Sequence, residues 1–155
     1  MPKEIERKFL IDLSVVGPLE KGVDIKQGYI DTTSNTVVRV RVAGNQAFLT
    51  LKGENKGITR SEFEYEIPVE DANNIIVELC NGPVVEKTRH IINHAGHRWE
   101  VDLFYGDNEG LVIAEIELSS EDETFETPHW VTSEVSGDHK YYNSSLLKHP
   151  FKSWP

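Results

Sequence analysis

Along most of the chain, polar and apolar positions alternate with a period of two, the spacing of a β-strand with one face buried. Eight stretches carry this alternation, at residues 4–11, 24–31, 37–42, 46–52, 60–68, 84–93, 98–105 and 111–118. Gly44-Asn45 and the run His94-Ala95-Gly96-His97 read as hairpin turns, and residues 53–59, with two glycines, as a loop. Residues 12–21 hold Gly17-Pro18 and read as a connection with room for one turn of helix. Helical spacing is clearest at 71–79, with Glu70 or Asp71 as the expected cap and Asn81-Gly82-Pro83 as the stop. A second capped helix is expected from Ser119 onward, with Ser120 as N-cap and Glu123 three residues later. No linker, low-complexity segment or long repeat interrupts residues 1–155, which are expected to form a single domain. About eight short strands, mostly hairpin-connected, with few helices, predict a mainly β (α+β) fold: an antiparallel sheet or closed barrel.

The alternation has a second feature. Strand after strand carries two like charges two residues apart, on one face. They are Glu4/Glu6 followed by Lys8, then Arg39/Arg41, Glu62/Glu64, Lys87/Arg89, Glu100/Asp102 and Glu115/Glu117, with Lys52 as a single charge. The positions between them are largely apolar: Ile5, Val40, Phe63, Trp99, Val101 and Ile116. Two architectures satisfy this pattern. The charged faces can point to solvent around an ordinary apolar core, or they can converge on a wet lumen while helices cover the apolar faces. Acidic and basic pairs fall on different strands, which random surface decoration does not explain.

Charge narrows the function classes. With 16 Lys and Arg against 26 Asp and Glu, the chain carries a formal net charge of −10. That argues against a nucleic-acid binder or a protein docked on anionic lipid. An anionic ligand would need local cations, metal ions or both. The lone cysteine, Cys80, excludes an intrachain disulfide and a Cys-rich zinc site, and its apolar surroundings in sequence read as a buried, inert thiol. His90, His94 and His97 fall at a strand end and turn and read as surface residues. Gly53-Glu54-Asn55-Lys56-Gly57 lacks the Gly-Lys-Ser/Thr ending of a phosphate loop. Trp130, Tyr141 and Trp154 read as packing residues. No apolar run approaches membrane-spanning length, and the chain is expected in the cytoplasm.

Glu4-Ile5-Glu6-Arg7-Lys8, an E-x-E-x-K start, is similar to the signature of the CYTH superfamily, the triphosphate tunnel metalloenzymes. The similarity continues through Arg39-x-Arg41, Lys52 in Leu-Thr-Leu-Lys-Gly, Arg60-Ser-Glu62-Phe-Glu64, Glu86-Lys87-Thr-Arg89, Glu100-x-Asp102 and Glu115-x-Glu117, over roughly residues 2–145. The chain resembles the short bacterial inorganic triphosphatases. The resemblance implies an antiparallel barrel of about eight strands, open at both ends as a tunnel, with the charges inside. It implies that Glu4, Glu6, Glu115 and Glu117 hold a Mg²⁺ or Mn²⁺ ion, and that Glu62 and Glu64 organise a second ion or the attacking water. Lys8, Arg39, Arg41, Lys52, Lys87 and Arg89 would clamp phosphate oxygens, with Lys140, where relatives often have arginine, expected among them. Lys8, Glu62, Glu64 and Lys87 are the expected catalytic groups, while Glu100 and Asp102 are tunnel residues without an assigned role.

The chemistry agrees with these expectations. Carboxylate oxygens are hard ligands suited to Mg²⁺ or Mn²⁺, and phosphoryl transfer asks mainly for positioning and charge neutralisation. The expected function is metal-dependent hydrolysis of a small anionic triphosphate, most simply inorganic triphosphate. Thiamine or nucleoside triphosphate hydrolysis is a close variant. Adenylate cyclase ranks lower, because no extra segment offers a base pocket. A non-catalytic polyphosphate-binding module is the alternative of another class. A homodimer is implied only by the resemblance.

Overall fold

The structure is a computed structural model that describes residues 2–80 and 82–155. Asn81, part of the expected helix stop, lies outside the described residues. The described residues form nine strands: β1 (Lys3–Ile11), β2 (Val23–Ile30), β3 (Val37–Ala43), β4 (Gln46–Lys52), β5 (Thr59–Ile67), β6 (Val85–His94), β7 (His97–Phe104), β8 (Val112–Glu117) and β9 (Val131–Glu134). Strands pair antiparallel in the order β5-β4-β3-β2-β6-β7-β8-β1, and β5 also pairs with β1, closing an eight-stranded barrel. The ninth strand adds to β1 outside the ring through the Phe9↔Glu134 register.

Three α-helices accompany the strands: α1 (Leu13–Val16), α2 (Val69–Glu78) and α3 (Asn143–Lys148). The Asp12 side chain caps α1 by accepting from Ser14 N at 3.0 Å, which accounts for the turn of helix expected between the first two strands. Helix α2 starts two residues earlier than its spacing predicts, with Pro68 at the N-cap, so Glu70 and Asp71 sit in the first turn, where carboxylates suit the helix dipole.

The helix expected after Ser119 does not form. Residues 119–130 contain neither helix nor strand and lead into β9. A capping box needs the glutamate to reach the N-cap's own N–H. Here Glu123 Oε1 instead accepts from Ser119 N at 2.6 Å, its other oxygen meets His97 Nε2 at 2.7 Å, and the Ser120 hydroxyl turns to Asp122. No apolar stripe at helical spacing follows, and Pro128 removes a further donor.

The outward apolar faces are covered in two places. On one side, Phe9, Trp99, Val101, Ala114 and Ile116 pack beneath Phe125 and Trp130 of the 119–130 segment. On the other, Val40 and Ala47 pack beneath Ala72 and Ile76 of α2. Strand β2 passes close under α2 at Gly28, where a Cβ would stand 2.9 Å from Cys80 Sγ. Cys80 is half-buried there, and burial raises its thiol above the ordinary range. The charged faces therefore point inward, and the lumen is the architecture adopted.

The inward positions change character along the barrel. Toward one end they are apolar: Leu10, Tyr29, Val37, Val85, Phe104 and Ile113 pack against Tyr141, Leu146, Leu147, Phe151 and Trp154 of the C-terminal segment. These apolar positions pack against the C-terminal residues, and the eight-stranded antiparallel barrel is the one the resemblance implies.

Candidate active site

Beyond that apolar layer lies a cavity of about 180 Å³ whose lining is almost wholly charged. Seven cationic side chains reach it: Lys8, Arg39, Arg41, Lys52, Arg60, Lys87 and Arg89. Seven carboxylates join them: Glu4, Glu6, Glu62, Glu64, Glu100, Glu115 and Glu117. The cross-strand register brings them together. Glu6 stands opposite Glu117, Lys8 and Glu100 opposite Glu115, Lys52 opposite Glu62, Glu4 opposite Arg60, and Tyr29 opposite Arg39.

Without a ligand the charges pair with one another. Lys52 Nζ lies 3.0 Å from Glu4 and 3.3 Å from Glu62, and Arg60 Nε lies 3.1 Å from Glu4. Lys8 Nζ approaches Glu115 at 3.6 Å, and Arg39 approaches Glu64 at 3.4 Å. Beneath the lining, Asp102 is fully buried. It pairs with the Lys87 ammonium at 2.8 Å and accepts hydrogen bonds from Arg89 at 2.8 and 2.9 Å, while Arg89 also reaches Glu100 at 3.2 Å.

The titration behaviour follows from these contacts. Burial works against ionised Glu4, but Lys52 and then Arg60 outweigh it and hold the carboxyl at about 2. Glu6 goes the other way: burial, followed by the charges of Glu115 and Glu4, pushes it well above the ordinary carboxylate value. Glu115 stays well below that range despite burial, because Lys8 and the Glu6 hydrogen bond favour its charge. Burial brings Lys87 down to about 7 against the pull of Asp102, helped by Arg89 and Arg41. Burial, Arg39 and Arg89 bring Arg41 down to about 10.

A divalent cation fits the acidic side of this cavity. The donors are carboxylate oxygens, and the raised Glu6 marks a cluster of like charges short of positive charge. Among the described residues, no three His, Cys, Asp or Glu side chains already stand in metal-binding geometry. The reason is visible in the ion pairs, which draw Glu4 and Glu62 to Lys52 and Glu115 to Lys8. Arg39 Nε, buried and without a hydrogen bond among the described residues, is a further unused donor.

Of the residues expected in the tunnel, all but two line the cavity. Asp102 lies behind it and holds Lys87 and Arg89. Lys140 lies outside: it is exposed, with Nζ 4.7 Å from the Trp154 ring centroid and 5.2 Å from that of Tyr141. The three histidines do not converge. His90 meets Glu20 O at 2.7 Å, His97 meets Glu123 at 2.7 Å, and His94 approaches Glu126 at 3.9 Å.

Sequence reasoning missed Arg60, Gln27, Tyr142 and Asn143. Arg60 shares the parity of Glu62 and Glu64, so its inward position was available from strand alternation. Gln27, inward on β2 and fully buried, carried the same signal but no charge. Tyr142 stacks under Lys8 and Arg60, with ring centroid distances of 5.3 and 5.9 Å. No periodicity marks Tyr142 or Asn143, because they enter from the C-terminal segment.

A closed antiparallel barrel with a charged cavity defines a class, and the comparisons name it. The CYTH domain model matches residues 2–148, and the chain belongs to this family. It is 50% identical over 154 residues to an inorganic triphosphatase of Acetivibrio thermocellus, covering 99% of each chain. It is 37% identical over 147 residues to an inorganic triphosphatase of Nitrosomonas europaea, covering 92% of this chain and 95% of the relative. The crystal structure of an inorganic triphosphatase superposes with a TM-score of 0.67 at 35% identity, covering 100% of this chain and 98% of that one.

Proposed function

We propose that this chain hydrolyses inorganic triphosphate to pyrophosphate and orthophosphate, using Mg²⁺ or Mn²⁺. The observation that carries the reading is the cavity itself. Seven cations and seven carboxylates share about 180 Å³, an arrangement that favours a ligand carrying both a polyanion and its metal. The relatives named inorganic triphosphatase, similar over nearly their full length, support the substrate class.

Lys8, Arg39, Arg41, Lys52, Lys87 and Arg89 hold the phosphate oxygens, and Arg60 joins them. Arginine forks suit the two-oxygen faces of phosphate, while the lysines act as point charges. Glu4, Glu6, Glu115 and Glu117 are the donors for the metal. A metal held there would supply Lewis-acid neutralisation of the charge that develops on the departing phosphate. Glu62 and Glu64 orient the attacking water or supply donors for a second ion. Water oxygen bonds to the terminal phosphorus as the P–O–P bond breaks. Lys87, with its pKa near 7, can hold or release a proton beside the departing phosphate at neutral pH. The predominantly charged lining suits a substrate that is all polyanion, which favours inorganic triphosphate over a nucleotide.

Among the described residues, no helix is long and apolar enough to cross a membrane. A net charge of −10 keeps such a chain off nucleic acid and anionic lipid. We expect it in the cytoplasm, and light scattering checks whether it assembles as a homodimer.

The test is phosphate release from inorganic triphosphate, ATP and pyrophosphate, each with Mg²⁺, Mn²⁺ or EDTA. The expected result is metal-dependent release from triphosphate, well above that from ATP. Equal release from all three, or none from triphosphate, overturns the reading. Tight triphosphate binding without turnover would make the chain a binding module.

A further inference from the structure

Three residues of the cavity wall, Tyr142, Asn143 and Ser144, belong to no barrel strand. Asn143 opens α3, outside the barrel, yet its side chain reaches the cavity. Its Oδ1 accepts from Lys87 Nζ at 2.8 Å and from Gln27 Nε2 at 3.1 Å. Gln27 is fully buried, and its amide orientation is dictated by its partners. Its Oε1 accepts from Arg41 Nε at 2.9 Å, a group that can only donate, and its Nε2 donates to the Tyr29 hydroxyl at 2.6 Å as well as to Asn143. A continuous hydrogen-bonded chain therefore runs Arg41–Gln27–Asn143–Lys87, from β3 through β2 and the C-terminal segment to β6.

The other partner of Lys87, the Asp102 carboxylate at 2.8 Å, is gripped twice by Arg89. Asn143 is thus the acceptor that Lys87 shares with no second cation. A neutral amide holds an ammonium in place without cancelling its charge, and so leaves that charge available to an anion. A carboxylate at the same position would hold it as well and compete with the anion.

We propose that Asn143 is a positioning residue that holds the Lys87 ammonium, and through Gln27 the Arg41 guanidinium, where they meet the substrate. The C-terminal segment is then part of the binding apparatus as well as the cover of one barrel end. The segment is anchored independently of Asn143 by the buried side chains of Tyr141 and Leu146, so substitutions at 143 leave the fold standing. The groups facing Lys87 are Asp102 and Phe104 from β7, Arg89 beside it on β6, Arg41 from β3 and Glu115 from β8.

The inference depends on the triphosphatase reading only for its kinetic arm. The full-length protein is prepared as wild type, Asn143→Leu and Asn143→Asp, with Lys87→Arg assigning the Lys87 signal. Two quantities are read: the Lys87 titration by NMR of ¹³Cε-labelled lysine in the free protein, and the pH profile of kcat/KM for triphosphate. In Asn143→Leu, Lys87 loses an acceptor for its charged form. Its titration and the alkaline limb both move down, and kcat/KM at alkaline pH falls about tenfold. In Asn143→Asp both move up by about one pH unit, restoring the limb while weakening triphosphate binding. An unmoved Lys87 titration in both variants overturns the proposal, whatever happens to activity, because it leaves Asn143 a purely structural role. A wild type without triphosphatase activity overturns that reading alone, and the Lys87 titration then decides the role of Asn143.

Discussion

Asp102 is the residue whose loss should be felt most sharply without any change of shape. It is fully buried, pairs with two cations within 3 Å, and does not line the cavity, so Asp102→Asn removes one charge from behind the lining. Breaking a buried pair by removing one partner costs roughly 3–5 kcal/mol, because the other charge is left uncompensated. Two features soften that cost. The asparagine oxygen still accepts a hydrogen bond, and Lys87, already brought down to about 7, can shed its proton. We therefore expect the lower figure, about 3 kcal/mol. At roughly 2–4 °C per kcal/mol for a domain of this size, Tm should fall by about 6–12 °C. The assay is thermal and urea unfolding of wild type and Asp102→Asn at pH 7.5 in EDTA, repeated with saturating triphosphate. An anion neutralises the cations left unpaired, so added triphosphate should narrow the gap. Lys87 and Arg89 hold the Asp102 carboxyl below its ordinary value in spite of burial, so the group contributes stability above its unfolded pKa of about 4. The advantage of wild type should accordingly shrink as pH falls below that value. A variant that melts within about 1 °C of wild type at pH 7.5 would refute the reasoning, since a change worth about 3 kcal/mol cannot shift Tm so little.

Two further substitutions separate function from stability. Glu6 is raised by burial and by its acidic neighbours, so its ionisation is penalised in the folded protein and stability falls as pH rises from about 4 through the folded pKa. Glu6→Gln mimics the protonated form. It should raise Tm by a few degrees in EDTA at pH 7.5, flatten that pH slope and abolish metal-dependent triphosphate hydrolysis, as melting curves and phosphate release would report. Lys140→Ala removes an exposed cation outside the cavity, so kcat/KM for triphosphate should change by less than about twofold, as expected for a surface substitution away from the site. A large drop in kcat/KM would instead return Lys140 to the phosphate clamp.

How much of this was legible in the chain depended on whether the signal was local. Strand alternation is a backbone property, and it placed Glu4, Glu6 and Lys8, Arg39 and Arg41, Glu62 and Glu64, and Lys87 and Arg89 on shared faces before any fold was known. Arg60 and Gln27 obeyed the same parity and were legible too, had it been applied to the residue before a charged pair and to an uncharged amide. The failures were of another kind. Ser119 to Glu123 has the composition of a capping box, but without an apolar stripe behind it the same side chains satisfied Ser119 N and His97 instead. Lys140 stands where the resemblance implies a phosphate-clamping cation, but its position depends on how the C-terminal residues turn after β9, which no periodicity records.

By itself, then, the sequence determined that the chain is built of amphipathic strands with one charged face, and which residues share that face, because the two-residue period follows from backbone geometry alone. It did not determine which face points inward, since either face can be buried if something covers the other. That choice belonged to the tertiary structure. Helix α2 and the 119–130 segment cover the outer apolar faces, and Tyr141, Leu146 and Trp154 pack against the inward apolar positions toward one barrel end. The pairing of Asp102 with both Lys87 and Arg89, and the arrival of Asn143 at Lys87 from a segment 56 residues away, were likewise decided by closure of the barrel. Contacts of such separation leave no periodic trace in the chain, because they are set by which surfaces must be buried together and not by the backbone of any one strand.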